Sequence, residues 1–255
     1  MKFIDTHTHI YLSDFSSDID SVIDRAQKEN VKKYFLPAID SSHHNEMILL
    51  EERFSSCCFA MMGLHPCSVK ENYVDELKIV EDWMNKKEFV AIGEIGLDFY
   101  WDKTFTHQQF NAFEIQMQWA LDRNKPIVIH TRNAIQEAIE VVQPFSKKGL
   151  TGIFHCFGDD AVTAKKILDM NFYLGIGGLV TYKNSGLLEV LKQVPLSSIV
   201  LETDAPYLTP IPFRGKRNEP AHIKLIAEKI SAIKEISVEE VATITTANAE
   251  KIFKC

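Results

Sequence analysis

Eight short apolar runs, each followed by a longer stretch with apolar residues at helical spacing, constrain the fold of this chain before any motif is considered. The strand candidates are Phe3 to Thr8, Lys33 to Ala38, Cys58 to Leu64, Phe89 to Glu94, Pro126 to His130, Gly152 to His155, Phe172 to Ile176 and Ser198 to Glu202. Helical patterns occupy Asp18 to Asn30, Ser42 to Arg53, Val74 to Lys87, Thr106 to Asn124, Ala134 to Val142, Asp160 to Met170, Ser185 to Gln193 and Ala221 to Lys234, and a last one runs from Val238 to Phe253. Compact runs such as Ile127-Val128-Ile129 suit strands buried on both faces, as in a parallel sheet covered by helices. Eight strand and helix units predict an α/β fold, a closed TIM-type (β/α)8 barrel with an extra C-terminal helix. Ser237 and Glu240 have the S-x-x-E spacing of a capping box for that last helix. No low-complexity linker, charge block or short repeat interrupts the alternation, so residues 1–255 read as one domain.

A chain of 255 residues with 45% hydrophobic content can bury a large core. No apolar run approaches the roughly 18–20 residues of a membrane helix, and the first five residues lack the apolar region of a secretory signal, so a cytoplasmic location is expected. Cys57, Cys58, Cys67, Cys156 and Cys255 are an odd, scattered set, which suits reduced thiols and, without C-x-x-C spacing, no structural zinc knuckle. A net charge of −7 argues against a protein that coats nucleic acid, because such binding draws on many Lys and Arg contacts. It leaves room for an enzyme that grips one or two phosphates.

In a barrel of this kind, chemistry sits where the strands end at their C-terminal side. His7 and His9 close the first run, and in an extended strand their side chains project to the same side. Glu94 ends the fourth run, His130 the fifth, His155 the sixth, and the eighth leads into Glu202-Thr203-Asp204. A hydrogen-bonded core histidine would explain His130 or His155 taken singly. Four histidines and two carboxylates at one rim are not explained by packing.

The ordered motifs are Ile4-Asp5-Thr6-His7-Thr8-His9, Gly63-Leu64-His65-Pro66, Gly93-Glu94-Ile95-Gly96-Leu97-Asp98-Phe99, Pro126-Ile127-Val128-Ile129-His130-Thr131-Arg132, Phe154-His155-Cys156-Phe157-Gly158, Leu201-Glu202-Thr203-Asp204-Ala205-Pro206-Tyr207-Leu208 and Arg214-Gly215-Lys216-Arg217-Asn218-Glu219-Pro220. With them the chain resembles the TatD-type metal-dependent deoxyribonucleases, a branch of the amidohydrolase-like barrels, from Ile4 to about Phe253. Two departures stand out. Tyr11 occupies a position where the family usually carries Asp or Asn, and Gly158-Asp159 stands where Ser-Gly is common.

The resemblance implies two divalent ions, of magnesium, manganese or zinc type. His7, His9, Glu94 and Asp204 would hold one and Glu94, His130 and His155 the other, with Glu94 bridging, a task a carboxylate's two oxygens permit and an imidazole does not. It further implies hydrolysis of a phosphodiester by a metal-activated water, with Asp204 and Glu94 as the catalytic carboxylates and Asp204 accepting the water's proton. Two such ions against two carboxylates would make the site a local receptor for phosphate within an acidic protein. The expected substrate is DNA, single-stranded or frayed, degraded from 3′ to 5′. The expected protein is a monomer with no membrane contact and no obligate protein partner.

The supporting residues are read more openly. His65 is a candidate for substrate contact, with closure of a His-Pro turn as the alternative. Arg132 is a candidate phosphate clamp through its bidentate guanidinium, with a rim salt bridge as the alternative. Arg214 and Arg217, with Lys216, form the tight basic cluster expected at the substrate, flanked by Phe213 and Tyr207 as stacking surfaces, and a solvated loop is the other reading. Glu202 reads as an anchor for a histidine and Asp98 as a residue that orders its own loop. An amidohydrolase or esterase acting on a small molecule is the competing enzyme, although some such barrels bridge their metals with a carboxylated lysine and here the fourth strand delivers Glu94. A non-catalytic metal- or nucleic-acid-binding protein is the third reading, against which the complete ligand set weighs.

Overall fold

The computed structural model describes residues 1–255. Its first half runs β1 (Phe3–Asp5), α1 (Ile19–Lys28), β2 (Val31–Leu36), α2 (His44–Arg53), β3 (Cys58–Ala60), α3 (Tyr73–Lys86), β4 (Ile92–Asp98) and α4 (Thr106–Asp122). The second half runs β5 (Ile127–Arg132), α5 (Ile135–Ser146), β6 (Gly152–Phe154), α6 (Ala161–Asp169), β7 (Tyr173–Ile176), α7 (Leu187–Gln193), β8 (Ile199–Leu201), α8 (Ile223–Lys234) and α9 (Val238–Phe253). Asn30, Asn124 and Asn171 follow α1, α4 and α6 with φ of 64°, 50° and 62°. Asparagine tolerates this left-handed geometry, and each stops a helix just before the next strand.

The strands are parallel and lie in chain order, in one arc of β1, β2 and β3 and another from β4 to β8. Both seams between the arcs are hydrogen-bonded. Gly93 N–H donates to the Met62 carbonyl at 3.0 Å, and Thr6 N–H donates to the Leu201 carbonyl at 3.0 Å. The eight strands thus form a (β/α)8 barrel, as the alternation of runs predicts.

Side-chain alternation divides the core. A large apolar layer of 62 buried residues lies mainly between strands and helices, where Ile19, Val22, Ile23 and Ala26 give α1 its inward stripe. A smaller set of 10 includes Ile4, Phe35, Met61, Ala91, Val128, Ile153 and Val200 with Ala249, Ile252 and Phe253 of α9. Phe253 stacks on Phe35 with ring centroids 3.9 Å apart. The extra helix therefore packs its last turn against this smaller apolar set, apart from the cluster where the histidines gather. One half of the expected capping box forms at its first turn, with Ser237 Oγ accepting from Glu240 N–H at 3.1 Å.

Several strand bounds differ from the sequence expectation: β3 stops at Ala60, short of Leu64, β5 runs on to Arg132, and the bounds of β1 and β4 bear directly on the site. β1 ends at Asp5, so His7 and His9 lie beyond its ladder. β4 runs to Asp98 because it is irregular: Ile92 pairs with Ile127 and Ile95 with Ile129, three steps on one strand against two on the other. This extra residue is a bulge, which re-aims side chains. Gly93 and Glu94 pair instead with Ala38, whose N–H reaches the Gly93 carbonyl at 3.0 Å and whose carbonyl accepts from Glu94 N–H at 3.2 Å. Beyond the bulge, Gly96 has φ of 143°, and a Cβ there would lie 2.1 Å from the His130 carbonyl oxygen. Only glycine lets β4 approach β5 at that point. No helix is long and apolar enough to cross a membrane.

Candidate metal centre

Glu94 occupies the middle of a buried polar cluster, and its two oxygens face different partners. Oε2 lies 3.2 Å from His7 Nε2 and 3.5 Å from His9 Nε2, while Oε1 lies 2.9 Å from His130 Nδ1 and 3.0 Å from His155 Nε2. Asp204 faces Glu94 across the first pair, with Oδ1 3.7 Å from Nε2 of both His7 and His9. The six residues singled out in the sequence are thus brought together from β4, β5 and the segments that follow β1, β6 and β8. No lysine or arginine reaches Glu94 or Asp204, and every ionic partner of these two carboxylates is a histidine.

The backbone around them is cross-tied. Asp5 Oδ1 accepts from Thr203 N–H at 2.9 Å and from His7 N–H at 3.4 Å, and its Oδ2 accepts from the Thr203 hydroxyl at 2.5 Å. Asp204 N–H donates to the His7 carbonyl at 2.9 Å, and His9 N–H to the Ala205 carbonyl at 2.7 Å. These bonds hold the segments after β1 and β8 side by side. Asp204 adopts φ of 55°, a left-handed conformation unusual for a residue with a side chain. Its neighbours overdetermine the position, as expected where geometry matters more than backbone comfort.

Two of the histidines, His9 and His130, are hydrogen-bonded from behind, and Glu202 stands behind His155. The Tyr11 hydroxyl donates its only hydrogen to the Pro37 carbonyl at 2.6 Å and lies 3.0 Å from His9 Nδ1. A carbonyl cannot donate, so Tyr11 oxygen accepts at His9 and the imidazole carries its proton on Nδ1. His9 Nε2 is left with a free lone pair aimed into the cluster. His130 Nε2 meets Asp98 Oδ2 at 2.9 Å, and Asp98 Oδ1 accepts from the Tyr100 and Trp101 amides at 2.9 and 3.0 Å. Asp98 orders its own loop, as expected, and holds His130 as well. Glu202 Oε1 lies 3.3 Å from His155 Nδ1 and accepts from the Cys156 amide. Gly175 makes room for it, since a Cβ there would meet Glu202 Oε2 at 2.2 Å.

Burial would raise Glu94, but its histidine partners, His155 first, outweigh it and hold this carboxyl well below its ordinary range. Burial would depress His155, but Glu94 and Glu202 carry it well above its usual value. Burial, reinforced by His155, drives His7 well below. Burial pushes the Asp204 carboxyl up to about 6. Imidazole and carboxylate donors converging without a fixed cation, with His7 Nδ1 buried and unpartnered behind them, fit a divalent ion. Mixed nitrogen and oxygen donors suit zinc, manganese, cobalt or iron. His7, His9, Glu94, His130, His155 and Asp204 are the residues able to hold it.

The cluster forms part of the wall of an 820 Å³ cavity that His65, Arg132 and Tyr207 also line. His65 closes its turn, Nδ1 accepting from the Cys67 amide at 3.0 Å, while Nε2 lies on the cavity side, 3.4 Å from Glu94 Oε1. Arg132 forms no rim salt bridge, and its guanidinium lies 3.8 Å from the Tyr100 ring centroid. Arg214 and Arg217 are not among the cavity residues. Arg217 binds both oxygens of Asp18 at 2.8 Å and stands over Phe15, so its hydrogen-bonding fork is engaged elsewhere. Arg214 lies over Tyr182. The expected basic cluster is thus divided between intramolecular partners. Tyr100 and Trp101, exposed beside the cavity, were not singled out in the sequence because surface aromatics on a loop follow no periodicity.

Residues 4–254 match the family described as TatD related DNase. An uncharacterized metal-dependent hydrolase of Bacillus subtilis, YabD, is 37% identical over 98% of both chains. A Pantoea ananatis protein named 3′-5′ ssDNA/RNA exonuclease TatD is 31% identical, again over 98% of both. Among solved structures, the TatD homologue YJJV of Escherichia coli K12 superposes with a TM-score of 0.93 at 25% identity, covering 99% of this chain and 98% of that one. With the barrel, the donor cluster and a match along nearly the whole chain, this protein belongs to the TatD family of metal-dependent hydrolases.

Proposed function

We propose that the protein is a deoxyribonuclease that shortens single-stranded or frayed DNA from its 3′ end. The observation that carries the reading is the division of donors about Glu94, with His7 and His9 on Oε2 and His130 and His155 on Oε1. Two divalent ions would find ligands there, His7, His9 and Asp204 on one side of Glu94 and His130 and His155 on the other. Such ions, when bound, lower the pKa of water towards neutrality and stabilise charge on phosphoryl oxygens.

The chain's own residues supply the rest. His7, His9 and Asp204 hold one side of the centre, and His130 and His155 the other. Asp204 takes the proton of the attacking water at a carboxylate oxygen: both carboxylates line the cavity, and the Asp204 side chain is the more exposed, at 13% against 3% for Glu94. Tyr11 and Asp98 keep the rings of His9 and His130 in orientation. Arg132 and His65, on the cavity wall, receive the phosphate. Arg214 and Arg217 have no part in this reading.

The Pantoea relative's name supports the substrate and the polarity. A strand end reaches a recessed cluster more readily than an intact duplex does. We place this activity in one domain acting as a monomer in a reducing compartment such as the cytoplasm, in keeping with five unpaired cysteines.

Metal-reconstituted protein should be incubated with 5′-labelled single-stranded and duplex oligonucleotides and with a p-nitrophenyl ester, each beside an EDTA control. The expected result is a ladder of products shortened from the 3′ end of the single strand, abolished by EDTA. Ester hydrolysis with intact oligonucleotides would instead identify a small-molecule esterase.

A further inference from the structure

We infer that Trp101, on the loop after β4, is a stacking platform for an unpaired nucleobase, with Arg132 beside it meeting the neighbouring phosphate. The inference rests on the nuclease reading and names the part of the substrate that the site recognises. Trp101 is 67% exposed and Tyr100 53%, and Trp101 lines the same cavity as Glu94 and His130. Indole is the largest aromatic face a protein can offer, and leaving it in water forgoes the burial that such rings favour. Its place on this wall calls for a partner that arrives with the substrate.

The loop is pinned. Asp98 Oδ1 accepts from the amides of Tyr100 and Trp101, and Asp98 Oδ2 from the His130 ring. One carboxylate therefore sets the position of the indole relative to a residue of the candidate metal centre. Lys70 anchors the loop further on, through Asp102 at 2.9 Å.

Arg132 supplies the matching charge. Its guanidinium lies 3.8 Å from the Tyr100 centroid and 5.0 Å from that of Trp101, and it pairs with no carboxylate. Tyr100 thus orients the cation and meets the indole edge to face at 4.9 Å, while Trp101, approached by Arg132, stays 67% exposed. A flat apolar face next to an unpaired cation, on the wall of a hydrolytic cavity, matches one nucleotide: base on ring, phosphate on guanidinium. In a duplex, neighbouring base pairs cover both faces of a base, so the platform selects single strands and frayed ends.

The test compares kcat/KM on oligothymidylate and on an abasic deoxyribose-phosphate oligomer of the same length. Trp101→Ala should lower the value on oligothymidylate by about 10- to 100-fold and leave the abasic oligomer unchanged. Trp101→Phe should retain most of the activity on oligothymidylate. With Trp83 and Trp119 replaced by Phe, oligothymidylate should quench Trp101 emission on stopped-flow mixing, whereas the abasic oligomer should not. Equal loss on both oligomers, no loss on either, or an unquenched indole would overturn the platform while leaving the nuclease reading in place. Wild-type protein that cleaves neither oligomer yet hydrolyses an ester removes the nuclease reading and the platform with it.

Discussion

The two ends of this barrel are built from the same strands and do opposite things. At the end closed by α9, Ile4, Phe35, Val128 and Val200 meet Ile252 and Phe253 in an apolar plug. At the other end, His7, Glu94, His130, His155 and Asp204 bring ionisable groups together with no lysine or arginine in ionic contact with them. Few residues along a strand separate the two environments: Ile4 from His7, Val128 from His130, Ile153 from His155. Apolar contacts at one end stabilise the cylinder and so offset the cost of gathering like-charged and poorly solvated groups at the other. The comparison teaches that stability and chemistry are separable here, and the experiments below try to break that separation.

The largest effect is expected at the polar end. Asp204→Asn should lower turnover about 10²- to 10⁴-fold, with a melting temperature at or above that of wild type, since a buried carboxyl with only histidine partners is removed. Steady-state kinetics beside a thermal melt checks this, and near-normal turnover would exclude Asp204 as the proton acceptor. At the apolar end the reverse is expected: Phe253→Ala should cost about 3–5 kcal/mol of stability in denaturant titrations while the folded fraction keeps its wild-type kcat. A fall in kcat at full folding would mean that the two ends communicate.

A subtler probe is Tyr11→Phe, which deletes one oxygen behind His9. Partners that fix a ligand histidine typically contribute 10- to 100-fold in metal affinity, and a loss of that order is expected by isothermal titration with manganese or zinc, without change in fold. Unchanged affinity would mean that His9 keeps its tautomer by other means. The smallest effect lies on the rim. Asp18, bound by Arg217 and Arg25, has its carboxyl held below the ordinary range by the Arg217 hydrogen bonds, partly opposed by burial. Its contribution to stability is full above the unfolded pKa of about 4 and is lost as pH falls through the lower, folded value. The melting-temperature gap between wild type and Asp18→Asn should be present at pH 7, shrink below about pH 4, and narrow with added salt.

The sequence carries the barrel clearly because each helix and strand advertises itself by period. The span Val238–Phe253 matches the final helix residue for residue. The donor residues are legible for a related reason: they are the polar interruptions at the ends of apolar runs. What is not legible depends on register. Glu94 reads as the end of its strand, yet β4 continues to Asp98, because a bulge cannot be seen in a pattern of apolar residues. The pairing of Asp98 with His130 follows only once Gly96 is set opposite His130 in the ladder. Tyr11 reads as a departure from the family pattern, and only the Pro37 carbonyl explains how it serves His9. Arg217 reads as free charge because its partner, Asp18, lies 199 positions away.

Asp98 has a consequence for how this enzyme could diverge. Because a single carboxylate grips both the backbone of the Tyr100-Trp101 loop and the imidazole of His130, that loop cannot change its path without tilting a residue of the reactive centre. The side chains it displays are under no such constraint. New substrate preferences are therefore accessible by exchanging the rings on a fixed mount, whereas insertions or deletions next to the mount would disturb recognition and reactivity together.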